Sequence, residues 1–258
     1  MAKKNESLGK TVGVVLALCL VCSIIVSGAA IGLKPMQEKN AALDMQKNVL
    51  DAAGILKADT NITETYNQRI DTMVVSLKDL SIKDEVNPTS FSNRKAAGDS
   101  ETSSKLDKKN DPAGLGTRED LTQLYFIKDE SGNRTGLVLH IRGQGLWGTM
   151  YGLLALKDDY DTVKGVTFYE HSETPGLGGE ITNPNWVKTW EGKEVYGEDG
   201  NVQFEVVKGG AKGEHEIDAL SGATLTSNGV EYLVQFWMGE NGYGPLLKKL
   251  REGELNNG

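Results

Sequence analysis

Residues 121–171 read LTQLYFIKDESGNRTGLVLHIRGQGLWGTMYGLLALKDDYDTVKGVTFYEH, a series of short apolar runs separated by turn residues. LYFIKD and GLVLHI flank the turn Glu130-Ser131-Gly132-Asn133, which reads as a hairpin. MYGLLALKDD and VKGVTFYEH form a second such pair, and QFEVVKGG at 203–210 supplies a later strand. Apolar spacing turns helical at Asn185–Trp190 and at Asn228–Met238, where Val230, Leu233, Val234 and Trp237 share one face. Strands in consecutive hairpins, followed by helices, predict an α+β domain with a mixed α/β layout and a largely antiparallel sheet over 121–258.

Upstream, residues 82–120 are rich in Ser, Asp, Lys, Asn and Gly, and read as a polar insertion without a core of its own. Residues 34–56 carry Met36, Leu43, Val49, Leu50 and Leu56 at helix-like spacing and are expected to form a stalk that Gly54 ends. A short helix near Asn61–Ile70 and a strand near Thr72–Leu77 follow. Residues 11–33 form a run of 23 residues without a charge. As a helix it would reach about 34 Å, enough for the ~30 Å hydrocarbon core of a bilayer. Small residues Ser27–Ala30 allow a signal-peptide reading, but signal cores are usually about 7–15 residues long, so a retained anchor is expected. Lys3, Lys4 and Lys10 ahead of it, against Glu6 alone, predict that residues 1–10 stay in the cytoplasm and that 34–258 lie outside a bacterial inner membrane.

With those four charges set aside, 25 basic and 35 acidic residues remain, a net charge of −10. That balance argues against binding nucleic acid or anionic headgroups. Both cysteines, Cys19 and Cys22, lie within the apolar run, which excludes thiol chemistry outside it; their CxxC spacing fits helix packing better than a metal. His140, His171 and His215 are dispersed, so no metal site is expected, and no Walker loop, GxSxG elbow or dinucleotide GxGxxG is present. No catalytic residue is assigned.

Two stretches remain. Glu173-Thr174-Pro175-Gly176-Leu177-Gly178-Gly179-Glu180 is a turn whose glycines would let backbone N–H groups approach a ligand, or a plain tight loop. Asp218–Ser227, DALSGATLTS, runs straight into the helix from Asn228. On local grounds Thr226 or Ser227 is expected to cap that helix. The same unpaired donors would also stabilise a phosphate held on one of the hydroxyls.

DALSGAT at 218–224 fits the pattern Asp-x-x-Ser/Thr-Gly-Ala-Thr and resembles the covalent-FMN-binding domain family, and ETPGLG at 173–178 looks like that family's second signature. With the anchor, GLW at 145–147, KGGA at 208–211 and GYGPLL at 242–247, the chain resembles, along its length, the C-subunit family of sodium-translocating NADH:quinone oxidoreductases. The G-subunit family of the Rnf electron-transport complex shares the flavin motifs but tends to be shorter. The resemblance implies FMN held as a phosphoester on Thr224, attached by a separate flavin transferase that moves it from FAD. Ser221, Gly222, Ala223 and Asp218 belong to the same motif, and Asp218 is open to recognition, activation or a loop role. By the same resemblance Glu173, Thr174, Gly176, Leu177 and Gly178 would line the flavin ring. Trp147 would stack on it or sit in the core, and Lys208 with Gly209 would offset charge or be simply exposed. The function implied is an electron relay among the other members of an inner-membrane complex passing electrons from NADH to ubiquinone with sodium export. An anchored exported binding or assembly protein, with SGAT only a helix cap, is the alternative from another class.

Overall fold

The computed structural model describes residues 8–254; Lys3, Lys4 and Glu6 of the expected cytoplasmic tail lie outside the described residues. The chain divides into two compact units, residues 1–45 and 46–258. Helix α1, Leu8–Ala52, is long and apolar enough to cross a membrane by length and composition, and its residues 8–43 are exposed. Gly54, in the left-handed region at φ +68°, follows its end.

Helix α2, Ile62–Arg69, starts at Asn61, whose side chain accepts from the Glu64 N–H. Strand β1, Ile70–Ser76, follows, then helix α3, Asn93–Gly98, and the small antiparallel pair β2, Ser103–Lys105, and β3, Thr117–Glu119. The sheet continues through β4, Leu121–Lys128, β5, Arg134–Gln144, β6, Thr149–Lys157, and β7, Val163–Glu170. Its order is β1-β4-β5-β6-β7, every neighbour antiparallel, so the two hairpins expected from sequence are present and β1 adds an edge. Beyond it come a short helix α4, Pro184–Val187, a 3₁₀ turn Lys188–Trp190, the parallel pair β8, Glu205–Val207, and β9, Glu216–Asp218, and helices α5, Thr224–Met238, and α6, Gly244–Arg251.

Directly paired residues share a face. Leu124, Leu139, Leu154 and Val166 line one side, and Tyr125, Val138, Ala155 and Gly165 the other. The first side packs under α5, with Val230, Leu233, Val234 and Trp237 fully buried. Gly143 and Gly229 let helix and strand touch. A β-carbon at Gly143 would stand 2.5 Å from Leu233 Cβ, and one at Gly229 2.5 Å from the Gln144 carbonyl oxygen. This crossing sets the start of α5 beside the β5–β6 turn. On the opposite face the end of α1 closes down: Val49, Leu50 and Ala52 are buried and Thr167 donates to Asp51 at 2.8 Å.

The boundary expected at 120/121 does not separate two bodies, since 46–120 belongs to the same unit as the rest. Val74, Val75, Leu77, Ala96 and Ala113 are buried, and the buried Asn93 side chain accepts from the Gln123 N–H at 3.0 Å and donates to Thr122 at 3.2 Å. The polar stretch is fastened to β4 by polar bonds that hydrophobic periodicity does not register.

Candidate functional site

The stretch after β9 turns through Leu220–Ala223 and enters α5 at Thr224, four residues earlier than the apolar period begins. Gly222 takes φ +72°, a conformation open to glycine at no steric cost. Neither expected cap is used. Thr226 donates to the Glu173 carboxylate, and Ser227 Oγ accepts from the Leu220 N–H at 3.0 Å, so both hydroxyls tie the helix to its surroundings. Ala223 is the N-cap and caps nothing through its side chain. The amides of residues 224–226 precede the first helical bond, Ser227 N–H to Ala223 O at 2.9 Å. Thr224 is exposed, and no hydrogen bond ties its hydroxyl to another described residue.

Glu173 is the buried centre of this region, 4% exposed. One carboxylate oxygen accepts from the Trp147 N–H at 2.9 Å and the other from Thr226. Its own N–H donates to His171 Nδ1 at 3.1 Å. It enters no ion pair among the described residues. Gly145 and Gly178 leave room for the carboxylate: a β-carbon at either would lie within 2.6 Å of it. The Glu173 carboxylate joins the Gly145–Gly148 turn to the first turn of α5.

Those segments and the turn that follows Glu173 carry the apolar surface. The turn Gly145–Gly148, closed by Gly145 N–H to Gly148 O at 2.8 Å, holds Leu146 at 47% and Trp147 at 66% exposure, so Trp147 is not a core residue. Residues 174–179 form a tight turn, with Leu177 and Gly179 N–H groups on the Thr174 carbonyl and Gly176 at φ +75°. Leu177 is 45% exposed, and its Cδ2 would touch a β-carbon at Gly222. Leu225 adds 60% exposure next to Thr224. Thr174 and Ser221 are exposed, and Gly178 and Ala223 buried.

Asp218 has a structural partner. Its carboxylate accepts from the Ala211 N–H at 2.6 Å, and its carbonyl from Trp186 Nε1 at 2.7 Å. It thereby braces Lys208–Ala211, in which Gly209 and Gly210 both have positive φ and Lys208 points to solvent. His140 is remote from this region, buried and bonded to Tyr125 at 2.9 Å, and burial pushes its pKa down to about 4. Among the described residues no group of His, Cys, Asp and Glu is placed to hold a metal ion.

Leu225 carries no assignment from sequence, Gly145 and Leu146 enter only as part of the GLW motif, and Thr226 enters as a cap rather than as the partner of Glu173. For Thr226 the signal was present, because it stands four, seven and eleven residues before Val230, Leu233 and Trp237 and so lies on the buried face. Chemically the region offers an exposed hydroxyl, uncapped helix N–H donors and half-exposed apolar side chains. That combination suits an anion joined to a flat apolar ring.

The FMN-binding domain family matches residues 145–239, which hold both turns and all of α5. The C subunit of the Na(+)-translocating NADH-quinone reductase of Yersinia pestis is 42% identical over 99% of this chain and 98% of its own length. That of Vibrio alginolyticus is 43% identical over 99% of this chain and 100% of its own. The crystal structure of Shewanella oneidensis NqrC is 34% identical with a TM-score of 0.78, covering 82% of this chain and 98% of that one. The crystal structure of the C subunit from Parabacteroides distasonis, 23% identical at a TM-score of 0.66 and covering 83% of this chain and 96% of that one, shares the fold. With full-length relatives above 40% identity and a shared fold, the chain belongs to the C-subunit family of Na(+)-translocating NADH-quinone reductases.

Proposed function

We propose that the chain is the electron-relay member of a multi-subunit membrane complex that passes electrons from NADH to quinone coupled to sodium export, with FMN joined through its phosphate to Thr224. The observation that carries this reading is the placement of Thr224: exposed, its hydroxyl bonded to no other described residue, and at the uncapped start of a fifteen-residue helix inside the matched FMN-binding region. FMN would supply the one-electron redox chemistry when bound. The chain's own residues hold it. Amides at the start of α5 would offset phosphate charge. Trp147, Leu177, Leu146 and Leu225 would cover the ring and exclude water, and Thr174 with Ser221 would offer polar contacts at its edge. Asp218 would shape the loop of Lys208 and Gly209 beside the motif rather than act on the Thr224 hydroxyl, since its carboxylate is engaged with Ala211.

Attachment requires a partner enzyme. The Thr224 oxygen would attack the FMN-side phosphorus of FAD, forming the new P–O bond while AMP departs and the hydroxyl proton passes to the transferase or solvent. We further place residues 1–10 in the cytoplasm, 11–33 across a bacterial inner membrane and 34–258 on the periplasmic side, supported by the lysines ahead of the apolar run. No nicotinamide or quinone site is assigned to the chain.

The test is flavin fluorescence of the denatured chain on a gel, with peptide mass mapping, from cells that express a flavin transferase. Fluorescence that survives denaturation, maps to the Thr224 peptide and vanishes in Thr224→Ala is expected. A fluorescent Thr224→Ala chain would move the attachment elsewhere, and a wild-type chain without flavin beside an active transferase would remove the relay assignment.

A further inference from the structure

Glu173 holds together pieces of chain distant in sequence, at a place where a lone buried carboxylate would otherwise be costly. A buried polar group is retained where its bonds are made, and each bond lost leaves a desolvated partner. Here the partners are the Trp147 amide, 26 residues away, and the Thr226 hydroxyl, 53 residues away, with Gly145 and Gly178 kept small so that both chains can approach. Thr226 is two residues beyond Thr224 in the same helical turn, and Trp147 is the most exposed tryptophan.

We propose that Glu173 is a positioning residue: by the two hydrogen bonds its buried carboxylate accepts it fixes the Gly145–Gly148 turn against the first turn of α5, so that Trp147 and Thr224 are presented together before any flavin is attached. The proposal rests on the flavin reading of Thr224 but concerns the flavin-free chain. Glu173 touches neither the reacting oxygen nor, while buried under these turns, the face that Trp147 and Leu177 expose. Its part is to make the receiving surface rigid in advance, which lowers the ordering cost of binding.

Two measurements on the full chain in detergent decide it. Hydrogen exchange resolved to the Trp147 amide is followed without transferase, and flavin loading is followed with it. In Glu173→Ala the Trp147 amide should exchange about tenfold faster or more, as an amide that has lost a buried acceptor. Loading should fall several-fold. Glu173→Gln should restore both, because its amide oxygen can accept from Trp147 while its NH₂ donates to Thr226. Thr226→Val, which keeps the volume and removes the hydroxyl, should speed Trp147 exchange and slow loading in the same direction, and serves if Glu173→Ala does not fold. Thr224→Ala should lose flavin with Trp147 exchange unchanged, so failure of the attachment reading and failure of the positioning proposal appear in different measurements. The proposal is overturned if folded Glu173→Ala or Thr226→Val keeps the wild-type Trp147 exchange, whether or not its loading falls.

Discussion

A β-carbon at Gly178 would stand 2.5 Å from Thr226 Oγ1 and 2.6 Å from a Glu173 oxygen, whereas one at Gly176 would meet nothing within 4 Å. The two glycines of one loop are therefore required for different reasons, one by packing and one by its φ of +75°. Gly178→Ala should cost about 1–3 kcal/mol by overpacking and reduce flavin loading, because it forces Glu173 and Thr226 apart. Gly176→Ala should cost about 1 kcal/mol through backbone strain and leave loading nearly intact. Thermal melts and loading assays on both variants check this, and equal loading losses would contradict it. His140 makes a second residue-scale case. Its native pKa is about 4 against 6.5 for the free side chain, because burial disfavours the charged ring. Between those values the unfolded chain binds a proton that the native chain does not, so stability is complete above about 6.5 and declines as pH falls towards 4. The full effect is at most about 3 kcal/mol. Urea unfolding of His140→Gln across this range should show a flatter pH dependence than wild type. The motif singles out Thr224, and the fold sets that residue exposed at the start of α5. The hydrogen bonds of Glu173 were not legible, because partners 26 and 53 positions away leave no local spacing to read.

Elements were legible where turn chemistry and alternation agreed. Asp129 illustrates the first hairpin: its side chain accepts from the Ser131 and Asn133 N–H groups while Gly132 takes φ +88°, so the turn residues read in sequence close β4 onto β5. The helix expected over Asn185–Trp190 divides into Pro184–Val187 and a 3₁₀ turn. Phe168, Trp186, Trp190 and Phe204 pack ring on ring here, with Trp190–Phe204 centroids at 4.8 Å. Packing of large rings outweighs the regular period. Less legible was the docking of α1 on the sheet, because the apolar run at 11–33 dominates that helix while the buried contact is made by Val49, Leu50 and Ala52. Gly165 is the key to that contact, since a β-carbon there would lie 2.5 Å from the Ala52 carbonyl oxygen. Gly165→Ala should lift the end of α1 from β7, lower the melting temperature by an amount reflecting about 1–3 kcal/mol, and speed exchange of amides in 49–53. Unchanged exchange there would show that the helix end docks by other contacts.

For the molecule as a whole, composition pointed to a boundary near 120 because charged and small residues crowd 82–120. Composition records which residues are present but not which are tied down. Ile70, Val74, Val75, Leu77, Ala96 and Ala113 are buried, Met73, Leu80, Ile82, Leu106 and Leu115 are partly buried against the core, and β1 covers the edge of β4 along seven paired residues. Removing this part would leave β4, buried on both faces in the native sheet, as an exposed apolar edge, an arrangement prone to pairing with other chains. The division at 45/46 has the opposite character, because residues 8–43 of α1 are exposed while Val49 and Leu50 are fully buried in the larger unit. A chain beginning at residue 34 is therefore expected to stay soluble without detergent, melt in one cooperative transition within a few degrees of the full chain, and accept flavin at Thr224. A chain beginning at residue 121 retains the entire matched region 145–239 yet should show no cooperative melt, because it lacks β1, the Asn93 bonds to Thr122 and Gln123, and the end of α1. Circular dichroism melts and size-exclusion chromatography of the two chains distinguish the cases. Cooperative, monomeric melting of the 121–258 chain would establish that the matched region folds without the polar stretch and that the boundary legible in composition is the physical one.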